Sequence, residues 1–259
     1  MQEIYRLEYD VAKLIHTGND AFGKALLDYH RTGAETVSKV IRLDDGNEED
    51  MPMSHYFQPY EKWAPLDRAI VHWMKGRILD VGVGAGRLAL HLQDKGHDVV
   101  GIDISPKSVE VAGSLGVRDV RLHNILKGPL DEEKFDTIAL LGQNLGIAGF
   151  HENIGPFLKS LANMLKPGGR ITGTQINWER TDKPEHLKFQ NDNCDAGRHP
   201  VEMTLRISYD GLNEDFPWCL TNQLELIEIA DDIGLEPETI IDCRDRYGYV
   251  LRVPQSDES

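Results

Sequence analysis

The stretch Ile78-Leu79-Asp80-Val81-Gly82-Val83-Gly84-Ala85-Gly86-Arg87 decides how the rest of the chain is read. A short apolar run, of the kind that forms a buried strand, enters glycines spaced G-x-G-x-G, and a helix-forming segment follows. Glycines after a strand let the backbone approach a ligand closely, and the next helix points its first amides and the positive end of its dipole at that ligand. A small, partly anionic cofactor is therefore expected at this turn. The dinucleotide fingerprint G-x-G-x-x-G/A is not met, because counting from Gly82 puts Arg87 where a small residue is needed for close helix–strand packing. Twenty-one positions after Gly82, the run Val99-Val100-Gly101-Ile102-Asp103-Ile104 ends a second strand with an acid placed to accept hydrogen bonds from a ribose diol. The competing role for Asp103 is to cap the helix that starts at Pro106, but Ser105 is better positioned for that.

From Arg77 onward, short apolar runs alternate with helical segments, the pattern of βαβ units and a mainly parallel sheet. Strands are expected at 78–81, 98–102, 119–122, 137–141 and 170–176, and helices at 86–95, 106–114 and 154–165. Lys166-Pro167-Gly168-Gly169 is expected as the turn that stops the last of these helices. Beyond Asn177 the spacing predicts a polar stretch to Pro200, a strand near 203–209, a turn at Asp210-Gly211, a helix at 222–233 and a hairpin within 238–253. Upstream, Ile4, Leu7, Val11, Leu14 and Ile15 recur at helical spacing, and Phe22, Leu26 and Leu27 suggest a second amphipathic helix. Asp44-Asp45-Gly46-Asn47-Glu48-Glu49-Asp50 reads as a solvated acidic loop rather than a metal site. An aromatic-rich segment, Tyr56 to Trp63, precedes a helix over 65–75 with proline in its first turn. The expected division is an N-terminal helical segment, 1–75, and a core, 76–259, with an insertion near 177–220.

At 259 residues the chain is long enough to bury a substantial core. Its 28 Lys and Arg against 43 Asp and Glu leave a net charge of −15, a field that repels phosphate backbones and anionic lipid, and no basic patch offsets it. Neither a nucleic-acid nor a membrane partner is expected. Cys194, Cys219 and Cys243 stand far apart without ligand spacing, which suits reduced thiols. The first residues lack the pattern of a signal peptide, and no run approaches the ~18 apolar residues of a membrane span. A soluble, cytoplasmic protein is expected. No feature of the sequence points to a particular oligomeric state.

The segments "ILDVGVGAGRLAL", "VVGIDISPKSVEVA", "FDTIALLGQNLGI" and "LKPGGRITG", in that order across roughly residues 78 to 174, resemble the motifs of the class I S-adenosylmethionine-dependent methyltransferases. The resemblance implies an α/β, Rossmann-like fold: a seven-stranded, mostly parallel sheet with one reversed strand, helices on both faces and an N-terminal helical lid. It implies S-adenosyl-L-methionine as cofactor and S-adenosyl-L-homocysteine as product. Carried over by position, Asp80, Gly82, Gly84, Gly86 and Gly142 fall in the cofactor site, with Gly82 and Gly84 along the methionine moiety. Asp103 would bind the ribose hydroxyls, Ile104 would pack on adenine, and Asn124 and Ile125 would meet its edge. Many relatives carry an aspartate where Asn124 stands; an amide oxygen can still accept from the adenine amino group.

Methyl transfer from a sulfonium is an in-line displacement, so the protein aligns nucleophile and methyl and, for a protonated nucleophile, supplies a base; no metal is demanded. Leu141-Gly142-Gln143-Asn144-Leu145-Gly146 lies where open α/β sheets do their chemistry. It does not resemble the Asn/Asp-Pro-Pro-aromatic motif of nucleobase amino methyltransferases, so a small-molecule acceptor with O, N or S is expected. Gln143 and Asn144 are candidates to orient cofactor or acceptor, against a role as ordinary loop residues. Candidates for a general base are His151, His186 and Tyr209, each weighed against a solvated side chain. Tyr56, Tyr60, Trp63 and Trp218 are candidates to line the acceptor site, against structural packing. Two other readings stay open: a non-catalytic module that binds or senses S-adenosylmethionine, and an NAD-dependent oxidoreductase, which Arg87 disfavours.

Overall fold

A computed structural model describes residues 20–130 and 133–255, so the helical repeat read over Ile4 to Ile15 lies outside the described residues. The elements are α1 (Ala21–Thr32), β1 (Val37–Arg42), β2 (Asn47–Pro52), α2 (Pro65–Val71), β3 (Arg77–Val81), α3 (Arg87–Asp94), β4 (Asp98–Asp103), α4 (Pro106–Ser114) and β5 (Asp119–Leu122). They continue with β6 (Phe135–Leu140), α5 (Ile154–Ala162), β7 (Leu165–Ile176), α6 (Pro184–Asp195), β8 (Glu202–Tyr209), β9 (Leu212–Cys219), α7 (Gln223–Asp232), β10 (Glu236–Cys243) and β11 (Arg246–Arg252).

Seven strands form one sheet in the order β10-β11-β7-β6-β3-β4-β5, and β11 runs antiparallel to both its neighbours while the other pairs are parallel. Parallel pairing needs a crossover between strands, which is why the apolar runs of the sequence alternate with helices. Ile78, Leu79 and Val81 of β3 are all buried, because helices cover both faces and leave no polar side to the strand. One apolar cluster joins Leu79 and Ile138 to Leu158 of α5 and Leu226 of α7; another joins Ile78 to Ile70 of α2, Leu88 and Leu92 of α3 and Ala112 of α4. Ser105 caps α4 by accepting from the Ser108 amide, and Asn222 with Glu225 closes a reciprocal capping box on α7.

The end of α5 and the start of β7 differ from expectation. Helix α5 stops at Ala162, and Lys166-Pro167-Gly168-Gly169 falls inside β7 instead of ending a helix at Leu165. Pairing with β6 jumps from Phe135–Leu165 to Thr137–Arg170, so these four residues bulge out of the ladder, with Gly168 at φ 72° supplying the bend.

A second, antiparallel sheet has the order β2-β1-β8-β9. Only Asp44 to Gly46 of the expected acidic loop lies in a turn; residues 47–50 belong to the edge strand β2. That strand carries acids because most of its residues are solvent-exposed, so no apolar alternation marks it in the sequence. Asp210 at φ 49° and Gly211 at φ 77° make the tight turn between β8 and β9, and β9 was not expected. Nor was α6, whose buried side is thin: Phe189 and Asn193 alone. Helix α1 lies against α4 and buries Ala25 and Leu26 with Val111, Ala85 and Met53. Among the described residues, no helix is long and apolar enough to cross a membrane.

Candidate functional site

The three glycines after β3 all adopt left-handed φ, 76° at Gly82, 54° at Gly84 and 85° at Gly86, but for different local reasons. A Cβ on Gly82 would sit 2.5 Å from Asn144 Nδ2, which donates to the Val81 carbonyl at 2.6 Å and so ties the turn to the loop after β6. A Cβ on Gly86 would strike Val117 at 2.6 Å. Gly84 meets only the Tyr56 ring, at 3.9 Å, and its N–H donates to Asp103 Oδ2 at 2.9 Å. The Ser105 amide donates to the other oxygen, also at 2.9 Å, so the Asp103 carboxyl is fixed by backbone on both sides. Burial pushes it up to about 6, and the Ser105 and Gly84 amides oppose that rise.

Asp103 lines a cleft of about 270 Å³ whose floor includes Gly82, Ile104, Asn124 and Ile125 and whose roof is formed by Phe22, Ile207, Glu214 and Phe216. Asn124 Oδ1 accepts from the Leu126 amide at 2.9 Å, while its Nδ2 is buried without a partner, so the group it offers is a donor as much as the expected acceptor. Asn144 and Trp218 also line this cleft. Of the other residues expected at the cofactor, Asp80 lies beneath the turn at 4% exposure, with Oδ2 unpartnered, and burial drives it up to about 7. Gly142, at φ 70°, donates to Thr174 Oγ1 at 3.2 Å and lines neither cleft.

A second cleft, of about 650 Å³, lies on the other side of Trp218 and is lined by Gln143, Trp178, His186, Phe189 and Arg246. Trp218 borders both clefts and packs on Gly146, where a Cβ would come within 2.2 Å of the indole. Gln143 holds φ 73°, unusual for a residue with a side chain, at the carboxyl end of β6.

The aromatic and histidine candidates divide. Tyr56, Tyr60 and Trp63 line neither cleft. Tyr56 packs edge-on against Phe22 at 5.0 Å, Tyr60 stacks on His91 at 4.0 Å, and Trp63 Nε1 donates to the Gln58 carbonyl at 2.8 Å. Tyr209 also stands outside both clefts; its hydroxyl donates to Asp28 at 3.0 Å, and burial together with that acid raises the phenol. His186 lies in the second cleft with Nδ1 3.0 Å from Thr181 Oγ1, and burial lowers it. His151 stacks on His199 at 4.0 Å with an 11° interplanar angle, and His199 Nε2 lies 3.0 Å from Glu225 Oε1. These three residues have potential ligand atoms within 4.8 Å of one another, yet parallel rings cannot both hold one ion in plane, and none of the three lines either cleft. Arg87 points its guanidinium 4.9 Å over Trp63 and 3.5 Å from Asp67, which also accepts from Thr174. It braces the turn against α2 and lines neither cleft.

Phe22, Ile207, Glu214 and Phe216 were not anticipated. A signal for three of them existed: the Asp210-Gly211 turn fixes a hairpin in which Glu214 and Phe216 share a face with the candidate Trp218 and Ile207 stands opposite Glu214.

Residues 78–169 match the methyltransferase domain family. A ubiquinone biosynthesis O-methyltransferase of Paracidovorax citrulli is 30% identical over 135 residues, 47% of this chain and 54% of that protein. A demethylmenaquinone methyltransferase of Tropheryma whipplei is 33% identical over 109 residues, 40% of this chain and 43% of that one. The chain thus spans about half the length of these two curated relatives. A solved S-adenosylmethionine-dependent methyltransferase of Bacteroides fragilis, in complex with S-adenosyl-L-homocysteine, superposes with a TM-score of 0.78 at 28% identity, covering 91% of this chain and 95% of that one. The likeness therefore reaches well beyond the matched domain, through both sheets, and the chain carries a methyltransferase domain and the fold of the S-adenosylmethionine-dependent methyltransferases.

Proposed function

We propose that the first cleft binds S-adenosyl-L-methionine and that a small-molecule acceptor occupies the second, with Gln143 and Trp218 at the junction where the methyl group passes. The observation that carries this reading is the Asp103 carboxyl, held by the Gly84 and Ser105 amides yet keeping lone pairs toward the cleft. The residues present fit the cofactor. Asp103 offers acceptors for two ribose hydroxyls, the orphaned Nδ2 of Asn124 offers a donor to the adenine edge, and Ile104 and Ile125 offer apolar surface. When bound, the cofactor supplies an electrophilic methyl group, and what the protein contributes is alignment and exclusion of water. In this reading Asn144 holds the glycine turn in shape, Gln143 orients the reacting end, and Trp218 separates the two ligands except at the point of transfer.

The chain's net charge of −15 favours a small acceptor over a nucleic acid. Cys194, Cys219 and Cys243 are free thiols, which supports a reducing, cytoplasmic setting. The segment up to about residue 75 acts as a lid in this reading, since α1 supplies Phe22 to the roof and β1 pairs with β8. A second cleft beside the first favours an enzyme over a sensor of the cofactor alone. Calorimetry tests the cofactor assignment: S-adenosylmethionine and S-adenosylhomocysteine are expected to bind and NAD to be ignored, and the reverse result overturns it. Incubation with a labelled methyl donor and a metabolite extract, followed by mass spectrometry, then identifies the acceptor.

A further inference from the structure

We propose that Glu214 is a second acid of the cofactor site: from the roof strand β9 it faces Asp103 across the first cleft and accepts from the ribose of the bound nucleoside. The inference rests on the cofactor reading above and assigns a role to a residue outside the glycine turn and the strand-end acid. Register carries the first part of the argument. Glu214 pairs with Ile207 on β8 and shares its face of β9 with Phe216 and Trp218, and all four side chains line the cleft. The rest of this face is apolar or aromatic, so a carboxyl at this one position is the exception in an otherwise greasy roof.

Its surroundings carry the second part. The Glu214 carboxyl meets the Ala21 and Phe22 amides at the start of α1, and it feels the charges of Asp20 and Asp103. Asp20 is already engaged: it accepts from the Gly23 and Lys107 amides and from Ser105 Oγ, and Lys107 Nζ lies 3.4 Å away. Asp103 spends one lone pair of each oxygen on Gly84 and Ser105. Two acids with remaining acceptor capacity therefore approach one end of the cleft from opposite sides, and burial drives both upward, Asp103 to about 6 and Glu214 to about 7. A vicinal diol is the ligand chemistry that meets such a pair, because it brings two donors on adjacent carbons. The ionised Glu214 carboxylate is the stronger acceptor, so binding strengthens as pH rises through about 7.

The test is calorimetric titration of S-adenosylhomocysteine and of 5′-methylthioadenosine, which lacks the amino-acid end, into wild type, Glu214→Gln and Asp103→Ala. Glu214→Gln is expected to weaken both ligands roughly ten- to a hundredfold at pH 8, by the same factor, because the lost contact is to the ribose they share. Wild-type affinity is expected to fall from pH 8 to pH 6 several-fold more than that of the variant. If Asp103→Ala binds poorly while Glu214→Gln stays within about twofold of wild type, Glu214 has no such role and the cofactor site stands. If both variants fold and bind like wild type, the cofactor reading itself fails. A loss confined to S-adenosylhomocysteine places Glu214 at the amino-acid end and overturns the ribose contact. Should Glu214→Gln not fold, Glu214→Ala takes its place in the same titrations at pH 8, and affinity within about twofold of wild type overturns the proposal.

Discussion

Asp80 sits under the glycine turn with one oxygen unpartnered and the Ala89 amide as a backbone donor to its carboxyl, and burial lifts it to about 7 from an ordinary carboxyl near 3.9. Between those two values the native state holds a proton that the unfolded chain has released, so stability falls as pH rises through the window, and the full cost is present above about 7. The ceiling on that cost is about 4 kcal/mol. Asp80→Asn keeps the shape and removes the charge. The gap in unfolding free energy between variant and wild type is therefore expected to widen in the variant's favour from pH 5 to pH 8.5, read by urea titration at both. A gap that does not change with pH means Asp80 is not the titrating group. At this scale the sequence was legible where a side chain is fixed by its own strand end, as at Asp103, and illegible where proximity along the chain was the only guide. Tyr60 and Trp63 stand near the site in sequence yet turn to His91 and Gln58, and Tyr209 turns to Asp28. Nothing local dictates which way such side chains face.

Among the elements, the join between the glycine turn and the loop after β6 shapes one wall of the first cleft, since Gly82 and Asn144 both line it. Asn144 Nδ2 fills the space that a Gly82 Cβ would need, so Gly82→Ala pushes Asn144 off the Val81 carbonyl and disturbs both elements together. Gly82→Ala is expected to lower stability by about 2 kcal/mol, of which about 1 comes from φ 76°. Asn144→Ala alone loses the hydrogen bond. The double variant is expected to be less destabilised than the sum of the singles by at least about 0.5 kcal/mol, since the second change removes the clash created by the first. Strict additivity in thermal melts means that the two residues are not in contact. The parallel strands and their helices were readable because burial on both faces writes continuous apolar runs and strong helical periods. Strands β1, β2 and β9 and helix α6 were not, because each is half-exposed, and β1 and β8 find each other across most of the chain.

Across the whole molecule, the seven-stranded sheet forms the floor of the first cleft, while α1 and the four-stranded sheet form its roof. A ligand held between floor and roof binds the closed arrangement and not one in which the roof is detached, so it protects the N-terminal segment by mass action. Limited proteolysis is expected to cut within residues 20–75 several-fold more slowly when S-adenosylhomocysteine is saturating. Equal rates with and without ligand, together with unchanged affinity of the trimmed core, mean that the segment is no lid. The pairing of Lys39 with Ser208 also has a consequence for how the protein is made. At a synthesis rate of ~5–20 residues per second, β1 leaves the ribosome on the order of ten seconds before its partner β8 is translated. A lone two-stranded hairpin is marginal in water, so β1 and β2 remain unanchored while β3 to β7 emerge and can dock. A nascent chain thus acquires the floor of the first cleft, and α1 beside it, before the four-stranded part of the roof, and a chain stalled ahead of β8 leaves the Asp103 cleft without the cover of Glu214, Phe216 and Trp218.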